Sequence, residues 1–136
     1  MKPRRKTSLP PAPLAAPQPT RSKRWRLAVA VYAAAVFLVS VVPIDAKVSV
    51  SHLDKVVHLC QYLVFAWLLV QAVRASGMPE REYLWMAWIY ATSYGLLIEM
   101  IQAMLPWRSA EAADIVANAL GAWLGAFVGE KTPRQR

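Results

Sequence analysis

Glu99 lies in an apolar stretch where an unpaired charge is costly. The stretch reads YGLLIEMIQAMLPWR over residues 94–108. A charge at the centre of a membrane helix costs about 2.5–3.5 kcal/mol on insertion scales. A buried carboxylate is tolerated when hydrogen-bond or ion-pair partners surround it. The position of Glu99 therefore predicts a cluster of polar side chains contributed by other parts of the chain.

Seven further polar residues complete a candidate site around this glutamate. His58 or Glu99 can act as a general base or nucleophile, and a lysine and an arginine can stabilise developing negative charge. Alternatively, Arg108 can pair an anion bidentately while the amides of Gln102 and Asn118 orient it. Whether the chain is an enzyme stays open at this point. The candidate residues are Asp54, Lys55, His58, Glu99, Gln102, Arg108, Asp114 and Asn118.

The sequence predicts neither a metal nor a cofactor. His58 is one plausible imidazole ligand, whereas His52 stands in a predicted loop and is expected to be solvated. Asp54, Glu99 and Asp114 near His58 would allow a metal site, but no single element carries metal-ligand spacing and only one histidine is a plausible ligand, so zinc is not expected. Cys60 is the single cysteine, so it forms no internal disulfide, and we expect it to be a small buried side chain.

Four apolar segments must position these residues. The chain is 57% hydrophobic, and about 20 apolar residues cross a bilayer as a helix. The segments are residues 25–44, 56–73, 83–105 and 113–129. Their connections are short, so successive helices are expected to be antiparallel neighbours. The predicted fold class is all-α, a membrane bundle of four transmembrane helices.

Helical spacing places the polar residues on shared stripes. Residues three, four or seven positions apart lie on one face of a helix. Because the helices alternate in direction, these stripes should meet at one depth in the membrane. We expect Glu99 to face inward and to meet His58, Arg108 or Asn118. The stripes are Asp54, His58 and Gln61; Gly95, Glu99 and Gln102; and Asp114 and Asn118.

The distribution of positive charge predicts the orientation and the domain boundaries. Residues 1–24 form a basic, proline-rich tail that we expect to be disordered, residues 25–130 the four-helix domain, and residues 131–136 a second basic tail. With four crossings, thirteen of the sixteen lysines and arginines fall on one side, so both termini are expected to be cytoplasmic. The polar site is then expected at the outer face of the membrane. A cleaved signal peptide is the alternative for the first segment.

The fourth segment carries a small residue at every fourth position from Ala113 to Gly129. Such a face lets helix backbones approach closely in lipid. We expect Gly121 and Gly125 to pack against another helix of the same chain. The alternative is a homodimer that forms through the same two glycines.

These residues resemble the VanZ-like family of small bacterial membrane proteins over residues 52–129. The resemblance rests on DKVVH, EMIQ and RSAEAADIVANALG, which hold the candidate residues in order. Leu59 and Cys60 depart from the aromatic residues common after the motif histidine, and Trp107 stands before the motif arginine, where a small residue is common. The family takes its name from a protein associated with resistance to teicoplanin. The resemblance therefore implies a location in the bacterial inner membrane, a cell-envelope context and a link to antibiotic resistance, but no particular reaction.

Several functions remain open from the sequence. The main hypothesis is a polar site that binds a lipid headgroup, a phosphate or a cell-wall-related ligand and influences glycopeptide susceptibility. The alternatives are a membrane-embedded enzyme that acts on an envelope lipid or headgroup, and a purely structural scaffold. A transporter is disfavoured because the cytoplasmic half of the bundle is apolar. The predicted partner is the lipid bilayer; the basic tail abuts an apolar run, so nucleic acid is not expected.

Overall fold

Four antiparallel helices make up the part of the chain that the structure describes. The structure is a computed structural model that describes residues 19–43, 51–108 and 111–133. The helices are α1 (Pro19–Val41), α2 (Ser51–Ala75), α3 (Glu80–Gln102) and α4 (Ala112–Lys131). Each is long and apolar enough to cross a membrane. The predicted all-α fold with four transmembrane helices is confirmed, and the chain is a multi-pass membrane protein.

Prolines account for two helix ends that differ from the apolar segments. α1 ends at Val41, two residues before Pro43, and α3 ends at Gln102, four residues before Pro106. A proline disfavours helical geometry at the residue before it and cannot donate a backbone hydrogen bond. At its other end α1 begins at Pro19, inside the stretch predicted as a tail. Residues 1–18 and 134–136 lie outside the described part, so the predicted disordered tail stays a prediction.

The closest helix pair is α2 with α4, and glycines make that closeness possible. A methyl group added at Gly121 would collide with the backbone carbonyl of Leu59, and one added at Gly125 would collide with that of Leu63. Such close approach maximises van der Waals packing between helices in lipid. The two glycines lie against α2 of the same chain, which covers the face that the alternative homodimer would use.

Aromatic and small side chains alternate in the core between α2, α3 and α4. Alanines on α3 and α4 let the large α2 rings fit between the helices. α1 packs at the edge of this group, where the Tyr94 hydroxyl donates to the carbonyl of Ala33 at 2.7 Å and the Tyr32 hydroxyl donates to that of Gln61 at 3.1 Å. The core consists of Tyr62, Phe65, Ala66, Val70, Tyr83, Ala87, Ala91, Ala122 and Ala126.

The outer surface of the bundle is apolar, as a lipid-facing surface must be. Cys60 lies on this surface with its side chain exposed, so the prediction that it would be buried was wrong. Its helix turns the thiol away from the polar stripe of α2. Other outward-facing side chains include Leu27, Val31, Leu38, Val56, Trp85, Ile89, Val116, Leu120 and Phe127.

The two ends of the bundle differ in chemistry. We call the end where α2 and α4 begin the polar end, because most of the candidate site lies there. The opposite end, where α1 begins and α4 finishes, is the basic end. There Arg74 of α2 donates to the backbone carbonyls of Gly129, Glu130 and Thr132 at 2.8–3.1 Å. These bonds cap the carboxyl end of α4, where the carbonyls of the last turn lack their usual helical donors.

Candidate functional site

Three buried side chains from three helices meet near the polar end. We call His58 of α2, Glu99 of α3 and Asn118 of α4 the buried triad. His58 Nδ1 lies 3.0 Å from Asn118 Oδ1 and 3.6 Å from Glu99 Oε1. The amide of Asn118 donates to Glu99 Oε1 at 3.4 Å. Glu99 is 3% exposed and Asn118 1% exposed, so the contacts form in a site that excludes most water.

The hydrogen-bond pattern of the triad fixes the tautomer of His58. A carboxylate only accepts hydrogen bonds, so the amide nitrogen of Asn118 must face Glu99 and its oxygen must face His58. Nδ1 of His58 therefore carries a proton and donates it to that oxygen. The other ring nitrogen, Nε2, points to the mouth of the site, 3.9 Å from Asp54 Oδ1. The triad thus presents one defined imidazole nitrogen toward the bundle end.

A charged rim surrounds the triad at the start of α2 and α4. We define the rim as Asp54, Lys55, Glu111 and Asp114. Lys55 Nζ donates to Glu111 Oε2 at 2.8 Å and lies 3.7 Å from Asp114 Oδ1. The hydrogen bond from Lys55 lowers the pKa of the Glu111 carboxyl below its usual range. Glu111, the residue before α4, was not among the predicted site residues, although it stands within the quoted motif.

Gln102 and Arg108 occupy a different place from the triad. The side-chain amide of Gln102 donates to the carbonyl of Ser40 at 3.0 Å, and Arg108 donates to that of Val39 at 3.1 Å. These carbonyls belong to the last turn of α1, where the helix provides no partner. A cation is also favourable at a helix carboxyl end. Both side chains thus attach α1 to the bundle, and Arg108 does not meet Glu99.

Negative charge exceeds positive charge in the site formed by the triad and the rim. Four carboxyl groups, those of Asp54, Glu99, Glu111 and Asp114, accompany one lysine. Two buried carboxylate oxygens, Glu99 Oε2 and Asp114 Oδ1, have no hydrogen-bond partner among the described residues. Because a buried acceptor without a donor is costly, the arrangement suits a ligand that supplies a cation or hydrogen-bond donors. It suits an anion less well.

The family comparison covers most of the chain. The VanZ/LLP1 family model matches residues 13–129, so the match includes α1 and part of the proline-rich stretch that the resemblance over residues 52–129 leaves out. Neither a curated protein nor a solved structure matches the chain. The matched region contains the buried triad, the rim and the residues that attach α1. The chain belongs to the VanZ/LLP1 family.

Proposed function

We propose that the protein acts in the bacterial cell envelope by binding a lipid headgroup or a cell-wall fragment at the polar end of its bundle. The contact between His58, Glu99 and Asn118 carries this proposal. α2 and α4 already pack closely through glycines, so this helix pair does not need an ionisable buried triad to hold it together. Buried ionisable residues in membrane helices commonly mark functional sites.

The charge of the site defines the chemistry of the ligand. The rim and the triad together hold an excess of carboxyl groups. A cationic group is therefore attracted, either as part of the ligand or as an ion that accompanies an anionic headgroup. The sequence also suggested that Arg108 binds an anion, but this arginine donates to the backbone carbonyl of Val39 in α1. Anion binding through Arg108 is no longer part of the proposal.

The orientation in the membrane is part of the same proposal. Arg21, Lys23, Arg24 and Arg26 begin α1 at the basic end, and Arg74 and Lys131 lie near the same end. The positive-inside rule assigns this end to the cytoplasm. The polar end then faces the outside of an inner membrane, where cell-wall precursors and glycopeptides are accessible. A role in teicoplanin susceptibility is part of the same proposal, and this location and the family support it.

The experiment compares growth against a panel of cell-wall inhibitors that includes teicoplanin and vancomycin. Cells carry the wild type, the deletion, Glu99→Gln or His58→Ala, and the abundance of each variant is measured in parallel. We expect both variants to accumulate and to resemble the deletion. Glu130→Gln changes an acid at the basic end and should resemble the wild type. Variants with normal abundance and wild-type susceptibility would contradict the proposal.

A membrane-embedded enzyme is the second candidate function, and one observation favours it. Nδ1 of His58 is engaged by Asn118, which leaves Nε2 directed toward the rim. An imidazole held in one tautomer by its other nitrogen is the arrangement used by general bases. Mass spectrometry of envelope lipids from the wild type and from His58→Ala tests this candidate. A lipid whose amount changes with His58, at equal protein abundance, would support catalysis; identical lipid profiles would exclude it.

A further inference from the structure

Three rim and triad side chains converge on one point at the polar end. Asp54, His58 and Asp114 each offer one ligand atom, and these atoms all lie within 4.8 Å of one another. Metal–ligand bonds of about 2.1 Å place opposite ligand atoms about 4.2 Å apart. Small side-chain rotations therefore bring the three atoms into coordinating range. Asp54 is half exposed, so its carboxylate can make most of this adjustment.

Asp114 supplies independent support for a ligand at this point. Its side chain is 4% exposed, and Oδ1 has no hydrogen-bond partner among the described residues. The nearest described cation, Lys55 Nζ, lies 3.7 Å away, beyond hydrogen-bond distance. A buried carboxylate oxygen in this state is expensive unless something else occupies the space beside it. A cation held jointly with Asp54 and His58 would satisfy it.

The buried triad prepares His58 to be a ligand. A metal-binding histidine typically donates its second ring N–H to a carboxylate or carbonyl, which fixes the tautomer and makes the ligand nitrogen more basic. Here Nδ1 donates to Asn118 and lies 3.6 Å from the Glu99 carboxylate. The remaining nitrogen, Nε2, faces Asp54. Glu99 and Asn118 thus occupy the positions of supporting residues behind a metal ligand.

We propose that Asp54, His58 and Asp114 bind a divalent transition-metal cation such as Mn²⁺ or Zn²⁺, an inference that rests on the proposed function of the polar end. One imidazole and two carboxylates suit these ions better than Mg²⁺ or Ca²⁺, which prefer oxygen ligands alone. No single helix carries metal-ligand spacing, but these ligands come from two helices, and two carboxylates join the one plausible histidine. The bound ion would attract the anionic part of a headgroup or cell-wall fragment.

Lys55 provides a specific test, because its ammonium group competes with a metal ion for the carboxylate of Asp114. Its ammonium group lies between Glu111 and Asp114. A metal ion beside Asp114 is repelled by this charge, so removal of the charge must strengthen metal binding. A purely structural role for the acidic residues makes no such prediction, because loss of Lys55 would then only weaken the site.

The test uses purified full-length protein in detergent micelles, stripped with EDTA and titrated with Mn²⁺. Electron paramagnetic resonance measures the free ion, and Zn²⁺ is added as a competitor. We expect saturable Mn²⁺ binding that Zn²⁺ displaces. Asp114→Asn and His58→Gln should lower the affinity at least about tenfold, and Glu99→Gln about 10–100-fold. Lys55→Gln should raise the affinity, and Glu130→Gln should leave it unchanged.

The outcomes separate this inference from the proposed function. If the wild type and Lys55→Gln both fail to bind Mn²⁺ and Zn²⁺ while eluting as folded, monodisperse protein, the metal site is wrong. If Asp114→Asn binds as the wild type does, the ion lies elsewhere and the assignment is also wrong. If Glu99→Gln and His58→Ala behave like the deletion in the growth assay but the wild type binds no metal, the proposed function stands and only the metal site is wrong. Metal binding with wild-type phenotypes in Glu99→Gln and His58→Ala would instead overturn the proposed function alone.

Discussion

His58 and Asn118 stand sixty residues apart in the chain, yet His58 Nδ1 lies 3.0 Å from Asn118 Oδ1 in the interior of the bundle. The amide of Asn118 also donates to Glu99, so one side chain serves two partners on two other helices. This relationship joins α2, α3 and α4 near the polar end. The loss of Asn118 therefore affects both partners at once.

Asn118→Ala should destabilise the bundle by about 1–3 kcal/mol, because it leaves buried groups on His58 and Glu99 without a partner. Thermal unfolding of the purified protein in detergent measures this change. Ser93→Ala, which removes an exposed hydroxyl of α3, is the matched control and should be close to neutral. Equal melting temperatures for the two variants would show that the Asn118 bonds contribute little.

Glycine substitutions on α4 should form a graded series. Gly121→Ala and Gly125→Ala drive a methyl group into backbone carbonyls of α2, whereas at Gly129 the nearest atoms are those of the Val70 side chain, from 2.9 Å. Overpacking costs about 1–3 kcal/mol or more, and the overlap at Gly129 is shallower, so a smaller shift relieves it. We expect the first two variants to lose far more stability and abundance than Gly129→Ala. A flat series would mean that α2 and α4 separate easily.

Arg74→Met should loosen the carboxyl end of α4 by about 1.5–3 kcal/mol, because it removes charged donors from three carbonyls. Arg74→Lys keeps the charge but loses the planar fork, so it should recover only part of the loss. Hydrogen exchange of the amides near residues 129–132 measures the effect locally. Full recovery by lysine would indicate that charge alone matters. Lys131→Met, at the same bundle end, serves as the control.

Gln102→Ala and Arg108→Ala should weaken the attachment of α1 without removing the polar site. Both side chains donate to the last turn of α1. We expect abundance and inhibitor phenotype to fall in proportion for these two variants, whereas Glu99→Gln should lose phenotype at normal abundance. Immunoblotting alongside the growth assay separates the two patterns. A normally abundant Arg108→Ala protein without function would return Arg108 to the ligand site.

The Lys55–Glu111 pair should respond to pH in a defined direction. The pKa of Glu111 is lowered by Lys55 in the folded protein. The pair therefore contributes fully above the ordinary glutamate pKa of about 4.3, and its contribution is lost as the pH falls through the lowered pKa. Carboxyl-carbon NMR of Glu111 should show a midpoint below the ordinary value. In Lys55→Gln the midpoint should rise, and an unchanged midpoint would contradict the ion pair.

Helix number and the meeting of Glu99 with His58 and Asn118 follow from local information. Apolar length sets the four spans, and the three-to-four-residue spacing sets the polar stripes. The position of Arg108 does not follow from such spacing. The arginine side chain is long enough to reach either Glu99 or the end of α1. The carbonyls at the end of α1 can be identified as its partners only when the tertiary packing is known.

The sequence pattern also could not predict which side of its helix Cys60 occupies. Cys60 stands in an apolar run whose residues lie on both the core-facing and the lipid-facing side of α2. In a membrane helix, apolar side chains suit the core and the lipid equally well. Hydrophobicity therefore could not assign its direction. Glu111 could not be predicted as a site residue from local spacing either. Its role depends on its contact with Lys55, which lies fifty-six positions earlier in the chain.

The contacts of α2 with the region from Asn118 to Thr132 have a consequence for synthesis. His58, Trp67 and Arg74 are spread along α2, and each bonds to a residue between positions 118 and 132. While the ribosome has not yet made α4, these three polar groups lack those partners. Completion of the bundle is therefore a late event, because the polar groups of α2 find these partners only after the last helix has been made.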